Sequence, residues 1–137
     1  MWKLYAILSA LFAAITAILA KVGVKGISGN VATAIRTAIV LIMAWGIVLI
    51  SGQLKETKEI SKTNMFFLVF SGLATGLSWI FYFKALETGP VSKVAPIDKL
   101  SVVFVILFSF FLLKEPMDIK TIIGGTLIAA GAIALVW

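Results

Sequence analysis

Five long stretches of the chain carry no charged side chain. They cover residues 4–20, 37–54, 63–83, 100–113 and 121–137. A helix of roughly 20 apolar residues crosses the hydrocarbon core of a bilayer, and charged side chains inside that core are costly. The pattern therefore predicts an all-α fold, a polytopic membrane protein built as a bundle of five transmembrane helices in a single domain. We place these helices at about residues 2–20, 31–51, 64–85, 91–113 and 119–136.

The fourth stretch is shorter than a bilayer requires. Its 14 residues rise about 21 Å as a helix, whereas the hydrocarbon core is about 30 Å thick. A helix that crosses must therefore reach back to Val94 or Val91, which places Asp98 and Lys99 inside the membrane zone. Pro96 lies beside them. Arg36 also lies more than one turn inside the second predicted helix.

An ionisable side chain inside a membrane is a candidate functional residue. We expect Asp98 to exchange a proton or to pair with a cationic group of a substrate, while Arg36 and Lys99 set the charge of the site. Neighbouring residues project about 100° apart on a helix. Asp98 and Lys99 are therefore expected to face different partners, with Arg36 as a counter-ion for Asp98. The alternative is a structural ion pair, or a Lys99 side chain that extends to the membrane surface.

Four of the predicted helices also carry one polar face each, formed by side chains three or four residues apart. Such faces predict a shared polar cavity. The alternative is that the hydroxyl groups bond to carbonyls of their own helix or join neighbouring helices. The candidate residues for binding a substrate or a coupling ion are Asp98, Arg36, Lys99, Trp79, Tyr82, Ser78, Ser101 and Tyr5.

Small residues mark faces on which membrane helices can approach closely. Gly72 and Gly76 form such a pair on the third helix. Gly125, Ala129 and Ala132 form a stripe on the fifth. This stripe is the candidate dimer-packing surface. Packing within one chain is the alternative, and the spacing favours neither.

The composition agrees with a membrane protein and excludes several other classes. Hydrophobic residues make up 61% of the chain and charged residues 13%, against about 45–50% and about 25% in soluble domains. The net charge of +6 comes from basic residues spread along the chain, which does not indicate a nucleic-acid partner. Without cysteine or histidine, the chain offers no nucleophile or acid–base constellation. We therefore predict no enzyme, no cofactor and no metal site.

Lysines are slightly more numerous on one side of the predicted bundle. The six on the side of the N-terminus are Lys3, Lys55, Lys58, Lys62, Lys114 and Lys120. The four on the opposite side are Lys21, Lys25, Lys84 and Lys93. By the positive-inside rule, we expect a cytoplasmic N-terminus in the cell (plasma or inner) membrane. The small difference also permits insertion in both orientations, which would let two identical chains form an antiparallel homodimer.

Three segments carry a family resemblance. They are residues 82–97, with a Gly-Pro junction at 89–90, residues 113–116, with an acidic turn at Glu115, and the glycine-rich residues 123–131. The first resembles the junction between the third and fourth helices of EamA-domain proteins in the drug/metabolite transporter superfamily. The others resemble that family's turn after helix four and its closing helix. Typical members have ten helices in two inverted repeats, so this chain resembles a single-repeat member.

The resemblance implies a secondary transporter for a small metabolite or drug, embedded in the lipid bilayer. It also implies a half-size subunit that pairs with itself or with a similar subunit. The chain departs from the four-helix small multidrug subgroup, whose first helix carries a glutamate, because residues 4–20 contain no acid. Asp98 is the obvious substitute. Two alternatives stay open: a subunit of a polar-lipid or lipid-carrier flippase, and a non-transporting membrane accessory protein.

Overall fold

The computed structural model of the protein describes all 137 residues and contains no β-strand. Its α-helices are α1 (Trp2–Gly23), α2 (Gly29–Ile50), α3 (Lys62–Thr88), α4 (Val91–Asp98), α5 (Ser101–Leu113) and α6 (Ile119–Val136). A 3-10 helix, Gln53–Lys58, lies between α2 and α3. By length and composition, α1, α2, α3, α6 and the stretch Val91–Leu113 are each able to cross a membrane. The predicted all-α class with five membrane spans is confirmed.

Two helix starts follow local sequence signals. At the start of α2, the side chain of Ser28 accepts a hydrogen bond from the N–H of Val31. At the start of α6, the carboxylate of Asp118 accepts one from the N–H of Thr121, at 2.9 Å. Such acceptors satisfy the first N–H groups of a helix, which have no partner inside it. The turn between α1 and α2 contains Gly26 at φ +78°, a backbone conformation that glycine adopts without steric cost.

The fourth span is divided into two helices, whereas the sequence predicts one continuous helix over residues 91–113. Helix α4 ends at Asp98 and α5 begins at Ser101. Pro96 has no N–H to donate. Beyond it, the N–H of Leu100 bonds to the carbonyl of Ile97 at 2.9 Å, a tighter, 3-10-type turn. A short 3-10 turn inside a helix often marks a hinge.

The chain divides into two compact units. They comprise residues 19–88 and residues 1–18 together with 89–137. In the first unit α2 packs against α3, where Phe83 and Leu86 are buried. In the second unit α6 packs against α4 and α5, and Ala132 is buried. No more than 11% of any span is buried within the chain, so most of the span surface must face lipid or other helices.

Candidate functional site

Arg36 lies where α2 packs against α3. It follows Gly29, the first residue of α2, by two turns, which corresponds to a rise of about 10 Å. The central carbon of its guanidinium is 4.3 Å from the ring centroid of Trp79 and 5.6 Å from that of Phe83. The two rings lie one turn apart on the same face of α3. Arg36, Trp79 and Phe83 form a cation–π arrangement that we call the Arg36 cluster.

No carboxylate of these two helices neutralises the guanidinium. Glu87 is the only acid on α2 or α3, and its carboxylate accepts a hydrogen bond from the N–H of Gly29. An arginine near the bilayer centre costs about 2.5–3.5 kcal/mol on insertion scales. A cation–π contact returns about 0.5–2 kcal/mol. Arg36 lies nearer the start of α2 than its centre, so its cost is below that figure, and the two ring contacts offset much of it.

The end of α3 holds the start of α2 in place. The carboxylate of Glu87 lies at the N-terminus of α2, where the helix dipole favours a negative charge. The ammonium of Lys21, in the last turn of α1, donates to the carbonyl of Leu86. A Cβ on Gly29 would lie 3.1 Å from the backbone N of Lys84. Glycine lets the two backbones approach this closely without the crowding that a Cβ would add.

Several threonine hydroxyls bond to their own helix. Thr33 donates to the carbonyl of Gly29 and Thr37 to that of Thr33, each at 2.7 Å. Thr75 on α3 donates to the carbonyl of Ser71 at 2.9 Å. These hydroxyls donate to carbonyls of their own helix, which is the alternative to a shared polar cavity. The charged and aromatic side chains are therefore the stronger candidates for binding a solute.

A second charged group lies at the break in the fourth span. The ammonium of Lys99 is 3.3 Å from the carboxylate of Asp98, and the two side chains are 56% and 36% exposed. The sequence predicts that these neighbours face different partners. Their side chains meet where the backbone tightens to a 3-10-type turn, while Lys99 and Leu100 keep right-handed helical backbone angles. Asp98 thus has an oppositely charged neighbour within its own span.

The remaining candidate residues divide between the two units. Tyr82 shares α3 with Trp79, and its ring centroid lies 6.4 Å from that of Phe83. Ser78 is exposed on the same helix. Tyr5 and Ser101 are exposed in the unit that contains Asp98 and Lys99. The structure thus brings Arg36 together with Trp79 and Tyr82, and Asp98 together with Lys99.

The small-residue stripe on α6 packs within the chain over part of its length. A Cβ on Gly125 would lie 2.9 Å from Cδ1 of Ile106 on α5. Gly125 and Ala132 are buried, and Ala129 is half-buried.

The small residues on α3 are open. No atom lies within 4 Å of a Cβ built on Gly72 or on Gly76. This face of α3 can accept a further helix.

Three residues that shape the α2–α3 contact are not among the candidates from the sequence: Gly29, Phe83 and Glu87. A signal for one of them, Phe83, is present in the sequence. Phe83 follows Trp79 by one helical turn, and Arg36 is the only arginine of the chain. An arginine inside a helix and two aromatic residues one turn apart on another helix are a pattern typical of cation–π contacts. Nothing in the sequence pairs Glu87 with Gly29, because the two are 58 residues apart.

The chain is similar in sequence to known transporter proteins. The EamA-like transporter family matches residues 1–137. A protein of Sinorhizobium sp. described as "Uncharacterized transporter in cobO 3'region" is 46% identical over 134 residues. The alignment covers 98% of this chain and 95% of that protein. No solved structure matches the chain.

Proposed function

Because the chain belongs to the EamA-like transporter family, we propose that it is a half-size subunit of a secondary transporter for a small metabolite or drug. The Arg36 cluster carries this proposal. A cation held against aromatic rings between two packed spans is costly to maintain, and intramembrane charges of this kind mark substrate and ion pathways. Its position on α2 and α3 gives the transporter a place to hold a polar solute inside the membrane.

Asp98 is the proposed coupling residue. Discontinuous helices form the substrate and ion sites of many secondary transporters, because backbone groups and charges are accessible at the break. Asp98 is the last residue of α4, directly before the 3-10-type turn that separates α4 from α5. Its carboxylate is half-exposed and paired only with its neighbour Lys99. Proton uptake at Asp98 would release Lys99 and change the charge of the fourth span.

The transporter is proposed to be a dimer of two inserted chains, or a pair of this chain and a similar subunit. Transporters with inverted repeats hold their substrate between two halves of opposite orientation. The five spans of this chain would supply one half. The small difference in lysine number between the two sides permits opposite insertion. The open face at Gly72 and Gly76 is a surface on which a partner helix can pack closely.

The proposed location is the cell (plasma or inner) membrane, with the N-terminus in the cytoplasm. Reporters fused to the C-terminus test this orientation: one that is active only in the cytoplasm and one that is active only outside it. Five spans put the C-terminus outside when the N-terminus is inside. Activity of both reporters would indicate insertion in both orientations, as an antiparallel homodimer requires. Activity in one compartment only would exclude that homodimer.

The transport function is tested in vesicles that contain the purified protein and a pH-sensitive dye. A library of amino acids, organic acids and amphipathic drugs is added under a proton gradient. We expect at least one compound to change the internal pH, and Asp98→Asn to reduce that response more than tenfold. Asp118→Asn is the matched control, because Asp118 lies outside the spans at the start of α6. Full activity of Asp98→Asn would make Asp98 a structural residue.

The same vesicles separate the alternatives. Movement of a fluorescent lipid between leaflets, without a response to any soluble compound, would replace the transporter with a lipid flippase. Neither lipid movement nor solute flux would leave an accessory protein as the function. Flux that depends on Asp98 would exclude both.

A further inference from the structure

We propose that the Arg36 cluster binds the oxyanion of the transported molecule, which is a carboxylate or a phosphate. That the bound molecule is a transport substrate rests on the proposed function. The guanidinium is planar, and its N–H donors lie in that plane. Contact with the rings of Trp79 and Phe83 uses the face of the group. The donors in the plane remain for a ligand.

On α2 and α3 the guanidinium has Tyr82 as a further electrostatic neighbour but no carboxylate partner. Arg36 takes part in none of the side-chain hydrogen bonds or ion pairs of α2 and α3. The one acid on these helices, Glu87, is held at Gly29, two turns along α2 from Arg36. A half-buried cation with two ring contacts and no anion is a group prepared to receive one.

The choice of arginine at this position fits an oxyanion. The other basic side chains of the chain are all lysines, and Arg36 alone is an arginine. Lysine offers a point charge that is strongly hydrated. Arginine offers two parallel N–H groups that match the two oxygens of a carboxylate or phosphate, and its face stacks on aromatic rings. The aromatic neighbours also favour a ligand with an apolar or aromatic group beside its anion.

Binding is tested with the full chain in phosphatidylcholine nanodiscs. Trp79 becomes the only tryptophan when the other three are replaced by phenylalanine, as Trp2→Phe, Trp45→Phe and Trp137→Phe. Its emission then reports on the cluster during titration with phenylacetate, with phenylphosphonate and with the neutral isostere phenylacetamide. We expect a saturable change with an anion at a concentration at least tenfold lower than with phenylacetamide. Comparing ligands on one protein makes the test independent of whether a variant folds.

Substitutions then assign the selectivity to Arg36. Arg36→Gln should remove the preference for the anions, and Arg36→Lys should keep a weaker one. The matched control is Lys25→Gln, which removes one positive charge from an exposed position between α1 and α2 and should keep the full preference. Equal binding of anions and phenylacetamide, an unchanged preference in Arg36→Gln, or no saturable change with either anion would each overturn the proposal.

Two further measurements identify the source of the anion and test the inference independently of the transport function. If phosphatidylglycerol in the nanodisc competes with phenylacetate in an Arg36-dependent way, a lipid headgroup supplies the oxyanion. Without that competition, a soluble anion supplies it. Arg36-dependent anion binding without any flux would keep this inference and overturn the transporter. Flux of a neutral or cationic compound that is unchanged in Arg36→Gln would overturn the inference and keep the transporter.

Discussion

Replacing Gly29 with alanine should separate the start of α2 from the end of α3. The new Cβ would lie 3.1 Å from three atoms: the carboxylate oxygen of Glu87, the backbone N of Lys84 and the backbone C of Phe83. Two of these atoms belong to the backbone of α3 and cannot rotate away. The helices must therefore move apart by a few tenths of an ångström, and the hydrogen bond from residue 29 to Glu87 must lengthen.

The expected loss of stability is the balance of opposing effects. Overpacking at a contact of this kind costs about 1–3 kcal/mol, and weakening a hydrogen bond to a charged group adds up to about 1.5–3 kcal/mol. Alanine restricts the unfolded chain and returns about 0.4–1 kcal/mol. We expect Gly29→Ala to lower the free energy of unfolding by about 1–3 kcal/mol.

Reversible unfolding in increasing SDS, followed by circular dichroism, measures this difference. Gly46→Ala is the matched control, because Gly46 lies in the same helix and no atom lies within 4 Å of its added Cβ. It should raise stability by about 0.5–1 kcal/mol. If Gly29→Ala is as stable as Gly46→Ala, the close approach of α2 and α3 at Glu87 is refuted.

Two further predictions concern α6. In Gly125→Ala the added Cβ would lie 2.9 Å from Cδ1 of Ile106, the flexible end of that side chain. The overpacking cost of about 1 kcal/mol should cancel the gain of about 0.5–1 kcal/mol that alanine brings to a helix, whereas Gly124→Ala, with no neighbour within 4 Å, should show the full gain in the free energy of unfolding. Ile106→Val removes Cδ1, so Gly125→Ala in that background should also show the gain, and its absence there would contradict this packing. Hydrogen bonds from the side chain and N–H of Thr121 hold the pKa of Asp118 below its ordinary value of 3.8. Its stabilising effect is therefore present above the ordinary pKa and is lost as the pH falls through the lower, folded-state pKa. The protection of the amides in the first turn of α6, measured by hydrogen exchange relative to the unfolded chain, should fall over that acidic range. Asp118→Asn should abolish this pH dependence, and an identical profile in Asp118→Asn would contradict the prediction.

The spans and the position of charges along them could be predicted from the sequence. Charge-free length and hydropathy are local properties, and the bilayer responds to each helix separately. This is why α1, α2, α3, the fourth span and α6 follow from intervals between charges. Asp98 falls inside the fourth span for the same reason, since 14 apolar residues are too few to cross.

The contacts between helices could not be predicted in the same way. Lipid-facing and helix-facing surfaces are both apolar in a membrane protein, so hydrophobic periodicity does not indicate which faces meet. The stripe at Gly125 packs on Ile106 in the same chain, whereas Gly72 and Gly76 stay open. In the sequence, both sets are small residues spaced about one helical turn apart, so they cannot be told apart.

The sequence by itself determined a five-span membrane protein with an acid and two bases inside its spans. Only the tertiary structure decided that Arg36 stacks on Trp79 and Phe83, and that Asp98 pairs with Lys99 at a helix break. The first contact joins helices that are far apart along the chain. The second depends on where the backbone tightens after a proline. Both are set by backbone approach and hydrogen bonding, which residue spacing does not encode.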